Sequence, residues 1–491
     1  MRVSRDNAST GMRALGKRTD RRGATLVLIA LLMVAMLGMV AFAVDLGYIT
    51  TVKTELQRTV DSGALAGAGM LVEGPTAATT EVMDFIELNK VGGSDFNFET
   101  GDEGGKPGIG NGTHDEIEIE TGNWDPGTKS FVVSNVLPSA IRVQITRSNQ
   151  PLFFGRVFGR EAFSVSAETI AMFQPRDIML VLDFSGSMND DSELRSIYSL
   201  PQSVIEANLL AIYNELGQPT YGNMQWTPVY IRSNNDSHVI SQLGLNGVPY
   251  PYPSGSWNSY VNYVQSSGYI HNAGYRRKYG YLTWVNYLLQ SKPKSNQTPD
   301  LWQTSEQPIQ QVKDAVSLFV DYIQEVNTED QIGLSIYTST DGTATLESGL
   351  TMNYDSVTAL ANHRQAGHYD VYTNIGAGIK NARDELVANG RTGAFKMMVL
   401  MTDGIANRPG DSTQGEQYAL DQAQLAADAG IPVITISLGT SADTTLMQGI
   451  ADMTKGVHFN VPGGSGIAQY EQQLTDAFRS IADDRPLKLV K

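Results

Sequence analysis

The chain has 491 residues, which is too long for one hydrophobic core and predicts roughly two to four domains. Its apolar content of 41% and charged content of 18% are ordinary for a globular protein, and its net charge of −16 argues against nucleic-acid binding. Because there is no cysteine, disulfides, thiolate zinc sites and a cysteine nucleophile are excluded.

The N-terminal segment is basic and is followed by a long uncharged run. Residues 1–23 hold seven Lys and Arg residues against two Asp residues, and form a predicted cytoplasmic tail. Residues 24–44 carry no charge, and a helix of this length spans about 31 Å, close to the hydrocarbon thickness of a bilayer. The positive-inside rule predicts a single pass through the cytoplasmic (inner) membrane, with the bulk of the chain outside the cytoplasm.

A cleaved signal peptide is the main alternative to this anchor, because Ala41-Phe42-Ala43 resembles a cleavage site. Against it, the apolar run is longer than the usual length of about 7–15 residues. A buried core helix is less favoured, since Arg21 and Arg22 directly precede the run. An anchor and a signal peptide both leave most of the chain outside the cytoplasm.

The segment after the apolar run continues the helical pattern. In residues 45–72, Leu56, Val60 and Ala64 recur at helical spacing, and Ala and Gly crowd positions 63–70. We predict a helical tether here. Its small-residue face either packs against another helix or stays weakly packed, and the sequence leaves both alternatives open.

Residues 73–175 are predicted to form a β-rich extracytoplasmic region. Ile141, Val143 and Ile145 alternate with polar residues, as in a strand that buries one face. No residue pattern in this region points to a chemical reaction.

From Asp177 onward, short apolar runs alternate with amphipathic helical patterns. Apolar strands buried on both faces and separated by helices predict an α/β domain with a doubly wound, mostly parallel sheet, over 176–484. The predicted strands cover 178–182, 332–337, 396–401 and 432–438, and the predicted helices lie near 307–326, 375–388, 416–429 and 467–482.

One interval interrupts this alternation. Residues 189–306 stand between the first strand and its crossover helix, where a loop of a few residues is usual. This insertion holds 13 of the 21 tyrosines and four of the five tryptophans. We predict a folded subdomain, whose aromatic residues either contribute to a binding face or only build its own core.

Polar residues follow the predicted strands at one edge of the sheet. Asp183, Ser185 and Ser187 come after the first strand, Asp403 follows a later one, and Thr373 precedes a helix. Ligands bind at this edge of open α/β sheets. Two carboxylates and three hydroxyls, with no His or Cys, suit a hard ion such as Mg²⁺ or Mn²⁺. With only two carboxylates among five side chains, an outside carboxylate has room to complete the coordination.

Asp183-x-Ser185-x-Ser187, Thr373 and Asp403 resemble the metal-ion-dependent adhesion site of von Willebrand factor A (VWA) domains. The resemblance implies that the serines and the threonine ligate the metal and that the aspartates do so directly or through water. It also implies that an acidic residue of a protein partner takes the open position. A site kept only to stabilise its own loops is the alternative. The long insertion departs from the family pattern and leaves the accessibility of the metal open.

The N-terminal part resembles TadG-like proteins of the tight-adherence (Flp) pilus-assembly system. The resemblance rests on Arg22-Gly23, the apolar run, Asp45-Leu46-Gly47 and the Ala-rich stretch from Asp61 to Ala66. It implies that pilus-assembly components are partners of this chain.

Together these features predict a membrane-anchored binding protein rather than an enzyme. It is expected to bind a protein through a metal ion in Flp pilus assembly or surface adhesion. The alternative is a VWA regulatory or scaffolding subunit of an envelope or ATPase complex. A hydrolase is disfavoured, because Ser185 stands in no GxSxG motif and has no evident histidine partner in the sequence.

Overall fold

The structure, a computed structural model, divides the chain into two compact units. The first holds Met1–Ala171 and Leu489–Lys491, and the second holds Met172–Lys488. Residues 1–21, which make up most of the predicted basic tail, lie outside the part of the chain that the structure describes. The described residues are 22–98, 114–125, 128–135, 138–326, 329–338, 343–392, 394–462, 467–483 and 485–491.

The first unit combines two helices with a β-sheet. In chain order its elements are α1 (Arg22–Gly69), α2 (Pro75–Glu87), β1 (Glu116–Asp125), β2 (Ser130–Val133), β3 (Ala140–Pro151) and β4 (Ala162–Phe173). The strands lie in the order β4, β3, β1, β2, and β1 pairs antiparallel with both neighbours. The C-terminal residues add to the β4 edge, where the Val490 N–H donates to the Ile170 carbonyl at 2.9 Å. Ile141, Val143 and Ile145 lie on β3 and are buried.

Helix α1 is one continuous helix of 48 residues, about 72 Å long. Its large apolar side chains from Leu26 to Phe42 are all exposed. Among the described residues, Thr25–Gly69 is the one helix long and apolar enough to cross a membrane, and its most apolar stretch has a mean hydropathy of 2.9. An exposed apolar surface of this length suits a bilayer rather than water. This helix therefore supports single-pass membrane anchoring.

The C-terminal half of α1 packs within the first unit. A buried stripe recurs every four residues along it, formed by Val52, Leu56, Val60, Ala64 and Ala68. A Cβ added to Gly67 would lie 2.3 Å from Val82 Cγ2 on α2, so glycine permits the close approach of these two helices. Of the two alternatives for the small-residue face, the structure shows packing against another helix.

The second unit contains the alternating strands and helices and the residues inserted among them. After β5 (Arg176–Asp183), the inserted residues form α3 (Gln202–Glu215), β6 (Val229–Tyr230), α4 (Asp236–Gln242), α5 (Trp257–Ser266), α6 (Gly268–Asn272), β7 (Lys278–Tyr279) and α7 (Tyr281–Ser291). The chain continues through α8 (Ile309–Val326), β8 (Gln331–Tyr337), β9 (Thr345–Thr351), α9 (Tyr354–Asn362), α10 (Ile375–Asn389), β10 (Phe395–Thr402), α11 (Ser412–Asp428), β11 (Val433–Leu438), α12 (Thr444–Thr454), β12 (His458–Val461) and α13 (Ile467–Asp483). The last strand, β13 (Leu487–Leu489), is next to β4 in the sheet order.

The main sheet of this unit has the strand order β12, β11, β10, β5, β8, β9. Strand β5 is central and runs parallel to both neighbours, with Leu180 opposite Val399 on β10 and opposite Leu334 on β8. Edge strand β9 pairs antiparallel with β8. The α/β fold with a doubly wound, mostly parallel sheet is thus confirmed.

The two faces of the sheet are covered by different helices. Ile178, Leu180 and Leu182 of β5 join an apolar cluster with α8 and α13. Met179 and Val181, which alternate with them, join a second cluster with α10 and α11. Because both faces of the sheet are buried, packing fixes the position of β5 and so of the residues that follow Asp183.

The insertion has a core of its own. Its aromatic side chains pack around Trp284, whose ring centroid lies 4.9 Å from that of Trp257 and 5.2 Å from that of Tyr260. The ends of the insertion meet, because the Gln307 N–H donates to Ser192 Oγ at 2.9 Å. Most of the aromatic residues therefore serve this core. Those that stay largely exposed are Tyr198, Tyr230 and Tyr269.

Candidate metal site

Three loops at the carboxyl edge of the main sheet carry the residues predicted to bind metal. Asp183 is the last residue of β5, Ser185 follows it, and Ser187 lies in the short 3-10 helix Gly186–Ser192. Asp403 directly follows β10, and Thr373 stands two residues before α10. Because β5 and β10 are adjacent and parallel, their carboxyl ends lie side by side.

Four of the five side chains belong to one hydrogen-bonded chain. The Ser185 N–H donates to Asp183 Oδ1 at 2.8 Å, and the Ser185 and Ser187 hydroxyls lie 3.0 Å apart. Ser187 Oγ donates to Asp403 Oδ1 at 2.6 Å. Thr402 Oγ1 donates to Asp183 Oδ2 at 2.7 Å, so the second oxygen of this carboxylate is also held.

The fifth side chain, Thr373, lies beside the same group. A Cβ added to Gly404 would be 3.5 Å from Ser187 Oγ and 3.8 Å from Thr373 Oγ1, so both hydroxyls border one small space. Asn407 fixes the loop, because its Oδ1 accepts the Thr373 N–H at 3.0 Å and its own N–H donates to the Thr373 carbonyl at 2.9 Å. Asn407 was not predicted from the sequence, since no spacing rule links it to Thr373.

Burial sets the electrostatics of the two carboxylates. It raises the pKa of Asp183 from 3.8 to about 6, although hydrogen bonds from Thr402 and Ser185 lower it in part. Burial and the charge of Asp183 together raise the pKa of Asp403 well above its ordinary value. Two buried carboxylates that repel each other are costly to keep ionised, and a cation between them would compensate for that cost.

The chemistry of the donor set fits a hard divalent cation. Its side chains offer two carboxylates and three hydroxyls, and every donor atom is an oxygen. No group of three or more His, Cys, Asp or Glu residues that could hold a metal occurs in the described ranges. Only two of the five candidate side chains are acidic.

A cavity of about 430 Å³ adjoins these side chains. Its wall includes Ser187, Thr373 and Asp403, together with Asp190 and Asp191 from the start of the insertion. The additional carboxylates favour a cation over an anion. The sequence analysis did not single them out, although their position directly after the serine motif was a usable signal.

The insertion is also tied to the loops that carry the site. The Gly367 N–H donates to the Phe184 carbonyl at 2.7 Å, between Asp183 and Ser185. In the same loop, Gln365 Nε2 donates to the Thr298 carbonyl of the insertion at 3.0 Å. The insertion is therefore linked to the loop that supports the serine motif.

Comparison with known families agrees with this organisation. Residues 302–473 match the von Willebrand factor type A domain. Residues 23–70 match a TadE/G-like Flp pilus-assembly family, and residues 66–171 match a Tad-like Flp pilus-assembly family. The chain carries a VWA domain behind a Tad-like N-terminal region. No curated protein matches the chain.

The VWA match begins near the end of the insertion, so β5 and the serine motif precede the matched residues. In the structure β5 nevertheless lies between β10 and β8, which are both inside the match. The central strand of the VWA sheet is thus separated from the rest of the domain in sequence and joined to it in space.

Three solved structures are similar at low sequence identity. The pilus adhesin SpaC from Lactobacillus rhamnosus GG is 12% identical with a TM-score of 0.33, over 78% of this chain and 35% of that one. A mutant of the PilB minor pilin from Streptococcus sanguinis is 11% identical with a TM-score of 0.33, over 78% and 81%. A von Willebrand factor type A protein from Catenulispora acidiphila is 10% identical with a TM-score of 0.30, over 75% and 49%. The chain spans about half of this last protein and about a third of SpaC.

Proposed function

We propose that this protein is a membrane-anchored, extracytoplasmic VWA protein that binds a protein partner through Mg²⁺ or Mn²⁺. We further propose that it acts in tight-adherence (Flp) pilus assembly or in surface adhesion. One observation carries the proposal: Ser187, Thr373 and Asp403 are far apart in sequence, yet they line the same cavity. The Tad-like matches of the N-terminal region support the pilus-related role.

Five side chains of this chain would hold the ion. Ser185, Ser187 and Thr373 would contribute hydroxyl oxygens, while Asp183 and Asp403 would bind directly or through water. When bound, the ion supplies positive charge and an open position for a carboxylate of the partner. The protein itself keeps the donors in place through the hydrogen bonds of the loops.

The charge beside the cavity is partly neutralised within the insertion. Asp190 lies 3.0 Å from Arg195, whose positive charge offsets that of the carboxylate. An approaching acidic residue therefore meets less repulsion than the number of carboxylates implies. This supports an acidic partner.

Binding, rather than catalysis, is the proposed role of the serines. Within the described part of the chain, the Ser185 and Ser187 hydroxyls hydrogen-bond to each other and to Asp403. Nucleophilic serines require a general base, usually a histidine, within hydrogen-bond reach. The contacts of these hydroxyls suit metal ligands that are held in place.

Calorimetric titration of the full chain in detergent with Mg²⁺ tests the metal site. Asp403→Asn should abolish binding, because it removes one of two carboxylates from the donor set. Asp421→Asn, an exposed aspartate on α11, is the matched control and should bind as wild type does. Equal Mg²⁺ affinity of Asp403→Asn and wild type would contradict the proposed site.

The proposed topology is tested separately with spheroplasts. Protease added from outside should degrade the chain after residue 45 and spare the N-terminal tail. Protection of the VWA domain would place it in the cytoplasm and favour the alternative role as a regulatory subunit of an ATPase complex.

A further inference from the structure

The turn between β3 and β4, residues 152–160, carries an exposed apolar patch. Phe153, Phe154, Val157 and Phe158 are 60%, 42%, 81% and 70% exposed. Single exposed apolar residues are ordinary, but four such side chains on one short turn form a patch that water disfavours. The exposed side chains of the β3–β4 turn therefore favour contact with an apolar environment.

Asp45 holds the β3–β4 turn against α1. Its carboxylate is buried and accepts the N–H of Phe153 at 2.9 Å and the N–H of Phe154 at 3.1 Å. The Tyr48 ring meets the Phe153 ring edge-on, with centroids 5.0 Å apart. Two contacts on successive turns of the helix thus fix the β3–β4 turn where the exposed half of α1 ends.

The position along α1 sets the depth of the β3–β4 turn. The predicted span ends at Val44, one residue before Asp45, so the turn lies at the level where the helix leaves the hydrocarbon. The other end of β3 is remote from this level. Ile141 Cδ1 lies 3.0 Å from a Cβ built on Gly67, which is about 33 Å along α1 from Asp45.

We propose that the β3–β4 turn enters the membrane interface beside α1 and forms a second contact with the same bilayer. The apolar side chains lie at the boundary between the acyl chains and the headgroups. Arg156 and Arg160, exposed on the same turn, meet the phosphates of anionic lipids.

A single helix leaves the first unit free to tilt relative to the bilayer, and the second contact restrains that tilt. The inference rests on the membrane anchoring in the proposed function. It is independent of the metal site.

Site-directed spin labelling tests the inference directly, because the chain has no cysteine and one Cys substitution gives one labelled site. The full chain is reconstituted in vesicles of phosphatidylcholine and phosphatidylglycerol in equal parts. Val157→Cys places a nitroxide on the β3–β4 turn. Val132→Cys is the matched control, since Val132 is exposed on β2, opposite Asn123 near the remote end of the sheet.

Collisions with oxygen and with a water-soluble nickel complex report the depth of each label. We expect the Val157 label to be accessible to oxygen and shielded from nickel, and the Val132 label to be accessible to nickel. Asp45→Ala should release the turn and expose the Val157 label to nickel, while the chain still floats with the vesicles through α1.

Two results would overturn the inference. The first is a Val157 label as open to nickel as the Val132 label. The second is shielding that disappears when the protein is diluted at constant lipid, which would assign the contact to a second copy of the chain. Failure of the chain to float with the vesicles would instead contradict the membrane anchoring itself.

Discussion

Replacing Asp183 by Asn removes the free-energy cost of keeping an ionised carboxylate in the metal-free site. Burial raises the pKa of Asp183 from 3.8 in the unfolded chain to about 6 in the folded, metal-free protein. A raised carboxyl pKa gives stability that is present below pH 3.8 and is lost as the pH rises through 6. At neutral pH the ionised carboxylate therefore destabilises the metal-free fold by about 3 kcal/mol.

Asparagine preserves the shape of the site and removes the charge. Its side-chain oxygen can accept the Ser185 N–H, and its amide can donate to Thr402 Oγ1, whose hydroxyl proton then turns away. We therefore expect Asp183→Asn to stabilise the metal-free protein, by up to about 3 kcal/mol. For a domain of this size the gain corresponds to several degrees in Tm.

Thermal unfolding of the full chain in detergent at neutral pH, with EDTA and with Mg²⁺, measures this effect. The wild type should gain about 2.7 kcal/mol at a hundredfold excess of Mg²⁺ over its Kd, because the ion binds the folded state. Asp183→Asn should gain almost nothing, so adding Mg²⁺ should remove most of the stability difference between the two proteins. The reasoning is refuted if Asp183→Asn is less stable than wild type in EDTA, or if Mg²⁺ stabilises both proteins equally.

Three further substitutions test the packing and the buried charges. Trp284→Ala removes the centre of the insertion core and should destabilise the second unit by about 3–5 kcal/mol in denaturant unfolding; an unchanged midpoint would contradict the buried position. Glu306→Gln removes a buried carboxyl whose pKa is raised by burial from 4.5 to about 8. The Tm of this variant should therefore exceed that of the wild type by a margin that grows as the pH rises towards 8. A Tm difference that does not change with pH would argue against the raised pKa. Gly67→Ala forces a methyl group against Val82 and should cost about 1–3 kcal/mol, whereas Gly47→Ala, with nothing within 4 Å, should cost nothing.

The elements with strong periodicity were predictable from sequence. Strands β5, β8, β10 and β11 are mostly apolar runs, and α8 has a clear buried stripe, because burial on one or both faces leaves a local pattern. Strands β9 and β12 were not predicted, because they are partly exposed. Helix α12 was not predicted either, although Leu446, Met447 and Ile450 stand at helical spacing and are buried.

The apolar N-terminal helix and the α/β class were predictable from sequence, and the five candidate ligands were proposed from it, because each depends on residues close together in the chain or on a family motif. Only the tertiary structure decided which distant segments meet. It showed the packing of α1 against α2, the aromatic core of the insertion, and the carboxylates of Asp190 and Asp191 beside the cavity. It also brought Asp45 to the backbone of Phe153, which is 108 residues away in sequence. Such contacts depend on the packing free energy of the whole fold, which cannot be read from a local pattern of residues.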